Sequence, residues 1–499
     1  METSDPVDEE IARVRELVQK KLRNLAEERL GPLQESHPDD PRVRRLLADV
    51  FFEWGDHVSS YRIMLDLLES TPHDVPLLIQ AVSCSVVLGD EDEVRRLGNE
   101  LLTLQPGRPG FLAKMTQSLD RIGDVDEAEK YLGLLLRSPE TNDTSPAIRI
   151  YLQARLLAAR KDIEGAVSLL SDLLDPIEAK SLPEKDASQF QESLFLLAKY
   201  RDRLGDYDGA WAAATKAHED NDQVWDIDQY EQVLADTRAV FTKELAPQLA
   251  HADEVSSEPL VILGNPRSGT TLLDTILGMH PQVAMGGELS ASSFVQVAVP
   301  RLTDSFLPFP TSMVDLRVSD ANALGRIYEN QTQGLGNGRR YLSNKSLGMH
   351  LQLGMMSLAL PKMRVVNLFR NALDNCVSCY TMNLLVSGHG YTNSLETLGR
   401  TWIARHQMQK YWPEVLDVPM IEMRYEDMVA DQEHQTRRLL EFLDVPFDKA
   451  CLEFHESGRV ASTLSYEQVQ QKMYTTSKGR WRNYEKHLGP LIDRLEPYL

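Results

Sequence analysis

The stretch Gly264-Asn-Pro-Arg-Ser-Gly269-Thr270-Thr271 sets two glycines, a proline and an arginine between an apolar run and a helix-spaced segment. Leu260 to Leu263 reads as a short buried strand of a parallel sheet. Thr270 to Gly278 carries Leu272, Leu273, Ile276 and Leu277 at helical spacing and reads as a helix. Strand, glycine loop and helix aim backbone N–H groups and a helix N-terminus at one point, which stabilises anionic oxygens. The pattern is a Walker A loop with threonine where lysine is required. That lysine reaches the outer phosphates of a triphosphate, so its absence argues against ATP or GTP hydrolysis. Arg267, inside the loop, offers a planar bidentate donor instead. The loop suits a phosphate-linked anion other than a nucleoside triphosphate; the bland alternative is a Gly-Pro turn ahead of a core helix.

Other segments must position that loop. MRVVNLF (Met363 to Phe369) is a second buried-strand run, followed by Arg370 and a helix, NALDNCVSCYTMNLL, that contains Ser378. VPMIEM is a further strand, ahead of Tyr425, and YTTSKGRWRNYEKHL lies near the C-terminus. With these in view, PRSGTTLL resembles the 5′-phosphosulfate loop of sulfotransferases that use 3′-phosphoadenosine-5′-phosphosulfate (PAPS). The resemblance is to the tyrosylprotein sulfotransferase-like group, which includes bacterial proteins that fuse tetratricopeptide repeats to such a domain. It covers residues 258–499.

The resemblance implies an α/β P-loop-like sulfotransferase domain with a parallel sheet, PAPS as co-substrate, 3′-phosphoadenosine-5′-phosphate (PAP) as product, and no metal. It implies that Ser268, Gly269, Thr270 and Thr271 hold the 5′-phosphate, and that Arg370 and Ser378 hold the 3′-phosphate by charge-assisted hydrogen bonds. Tyr425 would line the nucleotide site, and Lys478 and Gly479 would meet the 3′-phosphate side. Glu288, in MGGELS, would be the general base toward an acceptor hydroxyl. Lys345, in YLSNKSLGM, would stabilise the departing diphosphate, while Arg267 shares the charge on the sulfuryl oxygens. Two positions depart from the tyrosine-sulfating pattern. Ser290 stands where those members carry an arginine, and Gln471, with Lys472 beside it, stands at a conserved lysine. Protein tyrosine is the favoured acceptor. A carbohydrate or small-molecule hydroxyl, or a non-catalytic repeat scaffold with a nucleotide-sensing P-loop, are the alternatives.

A Gly-Asp pair recurs at Gly55-Asp56, Gly89-Asp90 and Gly123-Asp124, and Lys161-Asp162 and Gly205-Asp206 continue the series. Ala128, Ala166 and Ala210 follow the last three marks, and Pro72, Pro106, Pro139 and Pro176 follow four of them. Each unit reads as helix, tight turn, helix and proline stop. This grammar is similar to tetratricopeptide repeats over residues 40–222, with an irregular helical bundle as the alternative. An N-terminal all-α tetratricopeptide-repeat solenoid and linker (1–256) would then precede the sulfotransferase domain (257–499), with a concave groove suited to a peptide or protein acceptor. Residues 222–256 read as one further helix and a polar linker.

Composition sets the outer bounds. The chain has 499 residues and a net charge of −22. Residues 1–250 hold 48 acidic and 29 basic side chains, net −19, which argues against nucleic acid as a partner of this half. No apolar run is long enough to span a bilayer. The N-terminal residues lack a signal-peptide core, and four scattered cysteines point to a reducing cytoplasm. Cys376 and Cys379 form a CxxC inside a helix and read as buried thiols. His57, His73 and His218 read as surface side chains, and no His, Asp or Cys spacing suggests a metal site.

Overall fold

The computed structural model describes residues 5–20, 23–54, 56–88, 90–139, 144–176, 184–219, 224–336, 338–384, 389–456, 473 and 477–499. These fall into two compact units, one ending at Asp162 and one beginning at Ile163. Gly55, Gly89, Gln471 and Lys472 lie outside the described residues.

The first unit is helical. Helices Pro41–Glu53 and His57–Ser70, Val75–Leu88 and Glu91–Leu104, and Pro109–Arg121 and Val125–Arg137 pack as antiparallel pairs. The recurring aspartates explain the turns. The backbone N–H of Asp56, Asp90, Asp124, Asp162 and Asp206 each donates to the carbonyl five residues earlier, at 2.9 Å. At Asp124, Asp162 and Asp206 this closes the preceding helix through a left-handed residue: Gly123 has φ +85°, Gly205 +80°, and Lys161 takes the same conformation at +70°. The carboxylates of Asp56, Asp90 and Asp124 then cap the next helix by accepting from Ser59, Glu93 and Glu127 N–H. Ala128, Ala166 and Ala210 are fully buried, as close helix approach requires. Pro72, Pro106, Pro139 and Pro176 each stand two residues beyond a helix end.

The second unit is built on a five-stranded parallel sheet: β1 (Leu260–Gly264), β2 (Val283–Ala284), β3 (Tyr341–Asn344), β4 (Arg364–Phe369) and β5 (Met420–Arg424). Their order is β2-β3-β1-β4-β5, with Leu260 opposite both Ser343 and Arg364. Every β1 residue is buried, because the sheet is covered on both faces. Val261 and Leu263 join a core with Phe241, Met356 and Trp412, and Leu260 and Ile262 join another with Leu273, Leu277 and Leu440. That double burial is why the sequence shows a continuous apolar run instead of alternation.

Helices Ile163–Leu174, Glu184–Arg203, Tyr207–Glu219 and Ile227–Val240 belong to this second unit. Phe241 is fully buried and meets Trp412 edge-on, with ring centroids 5.8 Å apart. The residues expected as a polar linker are held against the sheet unit. Ala252 N–H donates to Leu358 O at 2.8 Å, Asn322 accepts from Asp253 and Glu254, and Glu329 accepts from Ser256 and Ser257. Ala252 and Val255 are buried among apolar neighbours, so a segment polar by composition is fastened through its backbone. His218 also departs from expectation. It is buried, stacked on Tyr380 with centroids 4.4 Å apart, and its Nε2 lies 2.8 Å from Tyr380 O. Among the described residues no helix is long and apolar enough to cross a membrane.

Candidate functional site

In a sheet of this order the chain reverses direction of travel at β1, and a crevice opens beyond the carboxyl ends of the strands. Six of the candidate site residues follow the strands at that edge. Arg267 follows β1, Glu288 follows β2, Lys345 follows β3, Arg370 and Ser378 follow β4, and Tyr425 follows β5.

The loop after β1 is packed too tightly for side chains at its glycines. A Cβ on Gly264 would lie 2.7 Å from Ser268 Oγ, and one on Gly269 would lie 2.5 Å from the Tyr425 ring. Gly269 also has φ +100° and opens the helix Thr270–Gly278. Arg267 sits at φ +66°, a conformation costing a non-glycine residue about 1–2 kcal/mol and typical of functional loops. Its Nε donates to Ser378 Oγ at 3.1 Å, so the serine expected to act with Arg370 also steadies the loop arginine. Arg370 Nη1 donates to Arg267 O at 2.6 Å, and its guanidinium lies 4.7 Å from the Tyr425 ring centroid. Ser268 Oγ and Arg370 Nε are buried and have no hydrogen-bond partner among the described residues. Buried groups of this kind cost about 1–3 kcal/mol each unless an oxygen answers them, and an anion in the loop fits both.

Opposite the loop, Lys345 Nζ donates to Glu288 Oε1 at 2.9 Å. The lysine side chain is 2% exposed and the carboxylate 44%, so the carboxylate is open to an incoming molecule while the ammonium is enclosed. The backbone repeats the link, since Lys345 N–H donates to Gly287 O at 2.8 Å.

The C-terminal segment closes on the same edge. Arg370 Nη2 donates to Ser477 O at 3.1 Å, and the Tyr425 hydroxyl lies 2.6 Å from Ser477 Oγ. Asp374 accepts from the N–H groups of Gly479 and Trp481 at 2.6 and 2.9 Å. Gly479 therefore lies beside the Arg370–Ser378 helix, and Lys478 is exposed next to it.

Asp374 and Ser477 were not evident from sequence, nor was Asp274. Asp274 is buried on the loop helix, accepts from Ser343 Oγ and Gly287 N–H, and faces Lys345. Burial pushes its carboxyl above the usual range, against the pull of Lys345 and Ser343. A single acid inside the apolar run TTLLDTILG was the available signal. Cys376 and Cys379 are free and buried, and burial raises the Cys379 thiol to about 11. Among the described residues no cluster could hold a metal ion.

Residues 259–449 match the sulfotransferase family. This segment is a sulfotransferase family domain. The chain is 25% identical to an uncharacterized protein of Aquifex aeolicus, over 78% of this chain and 51% of that one. It is 23% identical to protein-tyrosine sulfotransferase A of Caenorhabditis elegans and 24% to protein-tyrosine sulfotransferase 1 of Danio rerio, in each case over 43% of this chain. The chain spans 57% and 61% of the length of those two relatives. Among solved structures, the sulfotransferase domain from the curacin biosynthetic pathway aligns with 46% of this chain and 92% of its own, at 17% identity and a TM-score of 0.35. The sulfotransferase domain thus contains the glycine loop, Glu288, Lys345, Arg370, Ser378 and Tyr425, while Lys478 and Gly479 lie beyond the matched residues.

Proposed function

We propose that the protein is a PAPS-dependent sulfotransferase that acts on a hydroxyl, with protein tyrosine as the acceptor. The observation that carries this reading is the pairing of Lys345 with an open Glu288 at the sheet edge that also holds the loop donors. PAPS, when bound, supplies an activated sulfuryl group on a phosphate leaving group. Ser268, Gly269, Thr270 and Thr271 hold the 5′-phosphate through loop amides and hydroxyls. Arg370 and Ser378 hold the 3′-phosphate, with Lys478 and Gly479 closing over it, and the Tyr425 ring lines the nucleotide.

Glu288 takes the proton of the acceptor hydroxyl as its oxygen bonds to sulfur. The bond from sulfur to the bridging phosphate oxygen breaks, and that oxygen keeps the electron pair. Lys345 stabilises the charge there, and Arg267 stabilises the equatorial sulfuryl oxygens. A phenol, with a pKa of about 10, gives up its proton more readily than a sugar hydroxyl. The helical hairpins, read as tetratricopeptide repeats, would present a polypeptide acceptor, and four free buried cysteines suit a cytoplasmic setting.

One position favours a second reading. Ser290, where tyrosine-sulfating members carry an arginine for acidic substrates, leaves sulfation of a carbohydrate or small-molecule hydroxyl as the alternative. An acceptor screen with ³⁵S-labelled PAPS separates the two. Label on tyrosine peptides supports the first, and label on glycans or metabolites but never on peptides overturns it.

A further inference from the structure

We propose that Asp202, assisted by Asp208, is a positioning residue for donor binding: the turn at Gly205-Asp206 clamps the C-terminal segment that closes on the nucleotide. The inference rests on the donor site proposed above and extends it to a helical hairpin well outside the matched family segment.

The two carboxylates flank one turn. Asp202 lies in the last turn of helix Glu184–Arg203, and Asp208 in the first turn of Tyr207–Glu219. Asp202 takes both donors that reach it, Oδ2 from the Arg480 guanidinium and Oδ1 from the Tyr484 hydroxyl, with its side chain only 12% exposed. Asp208 accepts from Lys486 Nζ at 2.5 Å and pairs with His487 Nε2 at 2.9 Å. Trp211, one turn further, stacks on His487 with centroids 5.2 Å apart and planes 7° apart. It also stacks on Tyr380 at 4.5 Å, and Tyr380 lies two residues after Ser378.

The hairpin therefore grips both pieces of the 3′-phosphate region: the Arg370–Ser378 helix through Tyr380, and the closing segment through residues 480–487. Those pieces meet at Asp374, which accepts from Gly479 and Trp481. Arg480 stands between two anchors, because its neighbours' N–H groups bind Asp374 while its guanidinium binds Asp202. A 3₁₀ helix, Arg480–His487, carries the contacts to Asp202 and Asp208. Loosening Asp202 would release the segment on one side only, displacing Lys478 and Gly479 while leaving the loop after β1 in place.

The test is calorimetric titration of full-length protein with PAP and with adenosine 5′-phosphate, for wild type, Asp202→Asn and Tyr484→Phe. The inference predicts that Asp202→Asn weakens PAP by about tenfold or more, the order expected when a binding group is misplaced by a fraction of an ångström. Affinity for adenosine 5′-phosphate, which lacks the 3′-phosphate, changes less than about twofold, since the phosphate loop is untouched. KM for PAPS rises in parallel while kcat holds. A purely structural role would not separate the two nucleotides. Tyr484→Phe removes one of the two bonds at constant shape and is expected to show the same selective loss, smaller in size; it carries the test if Asp202→Asn does not fold. Unchanged preference for PAP in the folded variants overturns the clamp and leaves the donor site standing. Absence of any preference in wild type overturns the donor site, and the clamp with it.

Discussion

Lys345 and Glu288 form an ion pair in which the cation is enclosed and the anion is open, at 2% and 44% side-chain exposure and 2.9 Å separation. Each comes from the end of a different strand, and a backbone hydrogen bond from Lys345 to Gly287 fixes the two strand ends together. This asymmetry suits the proposed roles: the exposed partner is open to an acceptor, and the enclosed one is held where a leaving group would sit.

Glu288→Gln keeps an oxygen for Lys345 to bind while removing the base. Transfer of ³⁵S label is expected to fall by about 10²–10⁴-fold, with PAP affinity within about twofold of wild type as read by calorimetry. Turnover close to wild type would remove Glu288 from the proton transfer.

Lys345→Ala deletes the cation at the bridging oxygen. A kcat loss of about 10²–10³-fold is expected, in line with removal of a preorganised charge at a transition state. The check is single-turnover transfer at saturating PAPS, which separates the chemical step from binding.

Phe241→Ala tests whether the helix Ile227–Val240 belongs to the sheet unit. Phe241 packs on Trp412 and on the Gly354 backbone, where a Cβ would lie 2.8 Å from its ring. Its removal is expected to destabilise that unit by about 3–5 kcal/mol, measured by urea unfolding followed through tryptophan fluorescence. A loss below about 1 kcal/mol would mean that this contact is not part of the core.

Stability should fall with acid before the carboxylates titrate. Burial lowers His350 to about 3 and His389 to about 4, from an ordinary value of 6.5. Above 6.5 both states hold the imidazoles neutral. Below it the unfolded chain takes up protons that the folded chain refuses, so stability is lost as pH falls toward those lowered values, by up to ~1.4 kcal/mol per pH unit per histidine. His350→Gln should flatten the melting-temperature profile between pH 6.5 and 4.5. An identical profile would show that His350 is not held neutral in the fold.

The local elements were legible in the sequence because their causes are local. The helix Thr270–Gly278 was read with the same limits that the structure has, and β1 extends its apolar run by one residue, Gly264. The turns at Gly123-Asp124 and Gly205-Asp206 were legible because left-handed glycine and a capping aspartate are consecutive in the chain. Long-range partners were not. Asp374 meets Gly479 across 105 residues and Asp202 meets Arg480 across 278, so only the topology makes them neighbours. His218 looked like a surface residue because nothing near it in the chain covers it; the aromatic ring that does, Tyr380, lies 162 residues away. The end of residues 222–256 looked like a linker because polar side chains hide the fact that Asn322 and Glu329 bind the backbone there.

In the proposed donor site, the loop after β1 and the Arg370 side together bind a nucleotide carrying both a 5′-phosphate and a 3′-phosphate. Calorimetric titration of wild type and Arg370→Ala with PAP, beside adenosine 5′-phosphate, tests it most directly. Wild type is expected to bind PAP at least about a hundredfold more tightly than adenosine 5′-phosphate, as two charge-assisted hydrogen bonds would give, and Arg370→Ala to erase most of that difference. Equal affinity for the two nucleotides in wild type, or no effect of Arg370→Ala, would contradict it.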